Sequence, residues 1–369
     1  MNPQEQFCPN MSCSARGQIG QGNIGVHSQK DRRYRCRTCG RTFSETKGSA
    51  LYGIKKCADL FVLVITLLSF GCPVQAIVMA FRLDERTVRS WWNKSGQHCK
   101  GVHENIIGNS QLDLEQVQLD EIKVKTQKGS MWMAMAEMVS TRLWLGGAVS
   151  AKRDKHLIRK LMTQVRVCAL CRPLLIAVDG FSAYVDATRK AFRTPLRLGQ
   201  QGRPHLITWE NIAIVQVVKQ RKNKVLSIER RIVQGCKTMI DTLIERTQGH
   251  GGINTAYIER LNATFRQRLA CLARRSRALA RTPQTLENGM FLLGCVYNFC
   301  SFHKSLRLPL YIGERRRRWV QRTPALAARL TDHQWTVEEL LCFKVPPPSY
   351  VVPKKRGRPR KQPILEVIV

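Results

Sequence analysis

The segment Asn254-Thr-Ala-Tyr-Ile-Glu259-Arg-Leu-Asn262-Ala-Thr-Phe-Arg266 most narrows what this chain can fold into. Ile258, Leu261, Phe265, Leu269 and Leu272 recur at the spacing of a buried helical face. With about 3.6 residues per turn, Glu259, Asn262 and Arg266 form a polar stripe beside that face. A carboxylate at a core edge, next to an amide and a guanidinium, has the makings of a metal or phosphate site. A solvated helix with an isolated Glu is the plainer alternative.

Two upstream segments weigh against the plainer alternative. Gln116-Val-Gln-Leu-Asp120-Glu-Ile-Lys-Val124 alternates apolar and polar residues, the pattern of a half-buried strand. Pro173-Leu-Leu-Ile-Ala-Val-Asp179-Gly is an apolar run closed by Asp-Gly, as expected of a fully buried strand. Two more strands are expected at Met131 to Glu137 and Leu143 to Ser150, and a helix from Asp154 to Val167. The expected order is three strands, a helix, a strand and a helix, with acids on the first and fourth strands and a third acid on a late helix. Carboxylates from separate elements suit a pair of Mg²⁺ or Mn²⁺ ions, which in phosphoryl transfer on DNA lie about 3.5–4 Å apart. The three acids so placed are Asp120, Asp179 and Glu259. Glu121 is set aside because strand alternation turns it to the opposite face. Glu137, Asp186 and Glu229 are reserve candidates.

Charge points to the partner. Lys and Arg number 61 against 26 Asp and Glu in 369 residues, a formal charge of +35. Such an excess destabilises a compact state unless a polyanion offsets it, so nucleic acid is the first expectation and an anionic membrane surface the second. Basic residues cluster at Arg274, Arg275, Arg277 and Arg281 and again at Arg315 to Arg318. The N-terminus lacks a basic-then-apolar signal. Leu60 to Phe81 is largely apolar, but Gly71-Cys72-Pro73 interrupts it after about a dozen residues, too few to cross a bilayer. A buried helix, a turn and a second helix are expected there, and no membrane partner.

Fourteen Cys in a long chain without a secretion signal argue for metal binding and buried thiols. Cys8-x4-Cys13 and Cys36-x2-Cys39 form two thiolate pairs that suit one tetrahedral, structural Zn²⁺, with Gly17 and Gly40 placed for knuckle turns. Next, Cys57 to Phe70, Pro73 to Phe81 and Glu85 to His98 read as a three-helix, helix-turn-helix module, with Asp84 capping the last helix. Val88 and Trp91 would face its core, leaving Arg86, Thr87, Arg89 and Ser90 for the major groove or its phosphates. Near the C-terminus, helices are expected after Thr323 and Thr336, and Pro346-Pro-Pro348 opens a linker. The tail Pro353-Lys-Lys-Arg356-Gly357-Arg358-Pro359-Arg360-Lys361 has the form of an AT-hook, whose two arginines flanking the glycine spread along a narrow A·T minor groove.

The expected division is therefore a zinc ribbon (1–50), a helix-turn-helix module (51–110), a catalytic α/β domain (111–310), a basic helical extension (311–345), and a Pro-rich linker with a disordered basic tail (346–369).

The acid layout resembles the ribonuclease-H-like domain of DDE transposases, a mixed sheet flanked by helices. Asn254, Glu259-Arg260 and Asn262 resemble that family's third-carboxylate helix, and Tyr297-Asn-Phe-Cys-Ser-Phe-His303-Lys-Ser-Leu-Arg307 the segment after it. With the four cysteines, the chain most resembles the insertion sequence 1 family over most of residues 8 to 345. Where relatives often carry an aromatic after the first Asp-Glu, Ile122-Lys123-Val124 stands here. The resemblance implies Asp120, Asp179 and Glu259 as catalytic, metal-binding carboxylates for two Mg²⁺ or Mn²⁺ ions, and metal-dependent DNA cleavage and 3′-OH strand transfer at element ends by a homodimer or higher oligomer on double-stranded DNA. It also implies a prokaryotic, cytoplasmic and nucleoid-associated setting, and Arg260, Asn262 and Arg266 as DNA contacts. The rivals are a non-catalytic DNA-binding regulator or architectural protein derived from such an enzyme, and a nuclease of the same fold without strand transfer.

Overall fold

The computed structural model describes residues 1–127, 129–196, 202–222, 225–273, 279–280, 282–312 and 316–351, with 221, 222, 225, 226, 312, 316 and 317 described by backbone alone. Contacts divide the chain into two compact units. Residues 1–48 and the described residues from Pro346 onward make the first, and Ser49–Val345 the second.

In the first unit, strands β1 (Ile24–Ser28), β2 (Arg33–Cys36) and β3 (Thr42–Ser44) form an antiparallel sheet. Its core is small: Tyr34, Phe43, Ile24 and Ala15 around buried Cys8, Cys13 and Cys36. The stretch after Pro346 departs from the expected linker. Arg16 donates to the carbonyls of Pro348 and Ser349 at 2.7 and 3.0 Å, and its guanidinium lies over the Tyr350 ring. Proline carbonyls remain good acceptors, so a Pro-rich strap can dock where an arginine supplies the donors.

The second unit begins with helices α1 (Ala58–Ser69), α2 (Val74–Phe81) and α3 (Glu85–Ile106). The break between α1 and α2 falls at the expected Gly71-Cys72-Pro73, and among the described residues no helix is long and apolar enough to cross a membrane. Arg82 turns the chain in a left-handed conformation, and the Asp84 carboxylate accepts from the Arg86 and Thr87 amides to cap α3. Helix α3 runs eight residues past the expected end at His98. Its second half packs on α8 (Pro283–Cys295), where a Cβ on Gly96 would lie 2.4 Å from the Asn288 carbonyl oxygen. Segments 51–110, 111–310 and 311–345, expected as separate modules, thus share one compact unit.

The centre of this unit is a six-stranded mixed sheet. Strands β4 (Gln116–Thr126), β5 (Gly129–Met138) and β6 (Leu143–Ser150) run antiparallel in sequence. Helix α4 (Lys155–Cys168) leads to β7 (Leu174–Asp179), which lies parallel to β4. Helix α5 (Ala183–Ala191) and a hairpin of β8 (Arg193–Leu196) and β9 (His205–Thr208) precede β10 (Ile212–Lys222), parallel to β7, and β11 (Val225–Gln234), antiparallel to β10. The order across the sheet is β11-β10-β7-β4-β5-β6. Strands β10 and β11 go beyond the sequence expectation.

Alternation assigns the faces. Leu175, Ala177, Ala213 and Val215 pack against Ile240, Leu243 and Ile244 of α6 (Lys237–Gln248). Ile176, Val178 and Ile214 join the main core with Leu157, Leu161 and Tyr184 of α4 and α5. Helix α7 (Ala256–Arg268) lies against β4 and β5 with Ile258, Leu261 and Phe265 buried, as expected; Leu269 and Leu272 are buried just beyond its end. The chain closes through the hairpin of β12 (Leu308–Ile312) and β13 (Arg316–Val320) and the short helices α9 (Pro324–Ala327) and α10 (Val337–Cys342). Helix α10 starts with the expected Thr336–Glu339 capping box.

Candidate functional site

The two strand acids meet because β4 and β7 are neighbours. Their parallel pairing runs Gln116↔Leu175, Val117↔Ile176 and Gln118↔Ala177. Two residues further along each strand, Asp120 and Asp179 leave the sheet on the same face, where the ladder has ended. Carboxylate oxygens of Asp120, Glu121 and Asp179 lie within 4.8 Å of one another. Such spacing and an all-oxygen donor set suit a hard divalent cation.

Glu121 was not expected as a ligand, yet its carboxylate lies within 4.8 Å of both aspartates. Its strand position is on the opposite face, beside buried Tyr184, as alternation requires. The β4–β7 pairing ends at Gln118, three residues before Glu121. Arg153, just ahead of α4, clasps both acids: its Nη2 lies 3.1 Å from Glu121 and 2.6 Å from Asp179. The Arg153 guanidinium also lies over the Phe181 and Trp132 rings, at 4.4 and 5.4 Å from their centroids. Burial pushes the Glu121 carboxyl up to about 7 against the pull of Arg153. Burial also raises Asp120, and the nearby Asp179 and Glu259 charges add to the rise.

Glu259 stands beside this group and is not one of its members. It is exposed on the first turn of α7, ion-paired to Lys219 of β10 and accepting a 2.9 Å hydrogen bond from the Thr255 hydroxyl. One turn on, buried Asn262 donates to Asp120 Oδ2 at 2.7 Å. The polar stripe of α7 therefore reaches the strand acids through Asn262, while Glu259 rests on a lysine. Arg266 is close enough for its charge to lower Asp120.

Helix α7 is held in place by a residue that sequence reasoning passed over. Its N-cap, Thr255, makes no side-chain cap. The Gln118 side chain does this instead: its Oε1 accepts from the Tyr257 and Ile258 amides at 3.0 and 3.1 Å, and its Nε2 donates to the Asn254 carbonyl at 2.9 Å. Gln118 is fully buried, two residues before Asp120 on the same strand face. The signal was available, since a Gln on the buried face of a strand needs partners for both ends of its amide.

In the first unit the four cysteines converge as expected. Cys8 Sγ lies 3.7 Å from Cys39 Sγ and Cys13 Sγ 4.0 Å from Cys36 Sγ, and all four fall within 4.8 Å. Tetrahedral zinc with Zn–S bonds near 2.3 Å places sulfurs about 3.8 Å apart, so the site fits Zn²⁺. Gly17 and Gly40 adopt positive φ and close the two knuckles, their amides donating to Cys8 and Cys36 carbonyls. Burial pushes the Cys8 and Cys13 thiols up; a bound cation would favour the thiolates instead.

On α3, Val88 and Trp91 are buried, Arg86 and Ser90 are exposed, and Thr87 and Arg89 are half-buried, with Arg89 paired to Glu85. Arg86, Arg89 and Ser90 continue with Asn93, Lys94 and Gln97 into one polar groove of about 530 Å³. The last three follow at helical spacing and extend the expected surface. Of the reserve acids, Asp186 pairs with Arg159 and Lys190, Glu229 pairs with Arg231, and Glu137 is buried beneath α7. The expected contacts Arg356, Gly357, Arg358 and Pro359, and the basic residues Arg274, Arg275, Arg277, Arg281 and Arg315, lie outside the described residues. No protein-family model and no curated protein matches the chain, so the functional reading rests on these residues.

Two outcomes are expected. Elemental analysis of the purified full chain returns one zinc per chain, and Cys36→Ser removes it; a zinc-free wild type with an intact first unit would refute the site. Gln118→Ala leaves the α7 amides unpaired and costs on the order of 1–3 kcal/mol in urea unfolding, with amide exchange quickened at Tyr257 and Ile258. Unchanged exchange there would show that the helix is held by other contacts.

Proposed function

We propose that this chain is a DDE-type transposase related to the insertion sequence 1 family, acting on double-stranded DNA. The observation that carries this reading is the meeting of Asp120 and Asp179 at one end of adjacent parallel strands, with the Glu259 helix docked against the same strand. Three antiparallel strands followed by a helix and a parallel strand is the order a ribonuclease-H-like domain requires. The basic, polar face of α3 fits a recognition helix, and the unit with four converging cysteines fits a zinc ribbon.

In this reading Asp120, Asp179 and Glu259 are the catalytic carboxylates, and Glu121 joins them as a ligand or as the partner that fixes Arg153. Divalent ions held there would polarise the scissile phosphate and lower the pKa of the attacking water or 3′-OH. The chain's own groups supply position and charge. Asn262 fixes the Asp120 carboxylate, and Gln118 fixes α7. Arg153 and Lys219 place cations where the phosphates of a bound strand would lie. Hydrolysis of one phosphodiester frees a 3′-OH; that 3′-OH then attacks a target phosphodiester, forming a new P–O bond as the target strand's own 3′-oxygen leaves and takes up a proton. Phosphoryl transfer needs alignment and charge more than covalent help from the protein.

The test is a nicking and strand-transfer assay with Mg²⁺ or Mn²⁺ on DNA carrying the inverted repeats that flank the gene. Asp120→Asn and Asp179→Asn are expected to reduce both steps by at least a thousandfold while DNA binding persists. Wild-type protein that binds these ends and neither nicks nor joins them would instead favour a DNA-binding regulator. Nicking without joining would favour a nuclease.

A further inference from the structure

Beneath the other side of α7 lies a cavity of about 270 Å³ that the carboxylate site does not use. Its floor is Glu137, directly across the β4–β5 ladder from Gln118 and therefore on the α7 face of the sheet. Glu137 is only 2% exposed, and among the described residues its Oε2 has no hydrogen-bond partner. Tyr297 lines the cavity beside it, and the Arg142 and Arg260 charges act on this carboxyl. Tyr257 forms one wall, with the Arg142 guanidinium 3.9 Å from its ring centroid. Thr264 and Leu261 line the helix side.

The chemistry selects an occupant. Two guanidiniums exclude a cation. A buried carboxyl with an unmet oxygen opposes a simple anion. A neutral, flat group with donors and acceptors along one edge meets all three demands: its donor to Glu137, its acceptor to Arg260, its face to the Tyr257–Arg142 stack. The space is worth about nine waters, which matches a ring system of about ten non-hydrogen atoms. Arg260 is the neighbour of Glu259 on α7, so cavity and carboxylate site flank a single helix about 10 Å across.

We propose that this cavity receives one unpaired nucleobase of the DNA strand held at the carboxylate site, an inference that rests on the DNA-processing reading above. The base would stack on the Tyr257–Arg142 pair and be read along its edge by Glu137 and Arg260. An unpaired base costs little to place there, whereas a paired one must first leave its stack. The cavity would therefore favour DNA already opened beside the cleavage point.

The experiment uses the full chain and two duplexes of the same sequence, one fully paired with 2-aminopurine at one position, the other with that base opposite an abasic site. Affinity is read by anisotropy and base environment by 2-aminopurine fluorescence. The wild type is expected to prefer the unpaired-base duplex about tenfold, with quenched fluorescence. Thr264→Trp, which fills the cavity from a half-buried position, and Tyr257→Ala, which removes the stacking face, are each expected to abolish the preference and the quenching, and to leave paired-duplex binding unchanged. Equal affinity of the wild type for both duplexes would overturn the proposal, as would a preference that survives Thr264→Trp; the orphan oxygen would then be met by water. Failure of the wild type to bind even the paired duplex would refute the DNA reading itself, a different outcome.

Discussion

Helix α7 reaches the acid-bearing sheet through one buried strand residue, Gln118, which accepts the two helix amides that Thr255 leaves uncapped. Because Gln118 and Asp120 share a strand face, the bond that starts the helix also sets its height above Asp120. Asn262 then falls opposite the Asp120 carboxylate, and Glu259 lands one turn away, beside Lys219. An orphaned buried amide costs more than a typical hydrogen bond contributes, so this docking is a strong constraint. The cavity over Glu137 exists for the same reason: Glu137 pairs with Gln118 across the sheet, and α7 roofs both.

Electrostatics complete the arrangement. Four acids gather near one sheet end in a chain of net charge +35, and each described cluster has its own cation. Arg153 is held by Glu121 and Asp179 and flanked by two aromatic rings; Lys219 is held by Glu259. These cations offset the mutual repulsion of carboxylates placed close enough to share an ion. The buried acids stay raised even so, which is the expected signature of burial winning over partial compensation.

Much of this was legible in the sequence because it follows local rules. The α7 face follows helical spacing, the Asp120 and Asp179 strands follow apolar patterning, and the knuckle glycines sit where thiolate pairs need them. The capping of α3 by Asp84 and of α10 by Thr336 and Glu339 is equally local. What was missed depends on distant partners. Glu121 lies near both aspartates and shares Arg153 with Asp179, a distant partner that no single-strand pattern reports. The length of α3 follows from its close approach to α8 at Gly96, and the docking of the proline-rich stretch from Arg16. Gln118 is intermediate: its polarity on a buried face was visible, and its partner was not.

The central claim is that Asp120, Asp179 and the α7 carboxylate serve one metal centre. Anomalous diffraction from crystals of the full chain soaked in Mn²⁺ with bound DNA tests it most directly. The account predicts manganese within direct ligand distance, about 2.2 Å, of Asp120 and Asp179, with Glu259 turned from Lys219 onto the same centre. Manganese bound elsewhere, or bound with Glu259 still paired to Lys219, would contradict it.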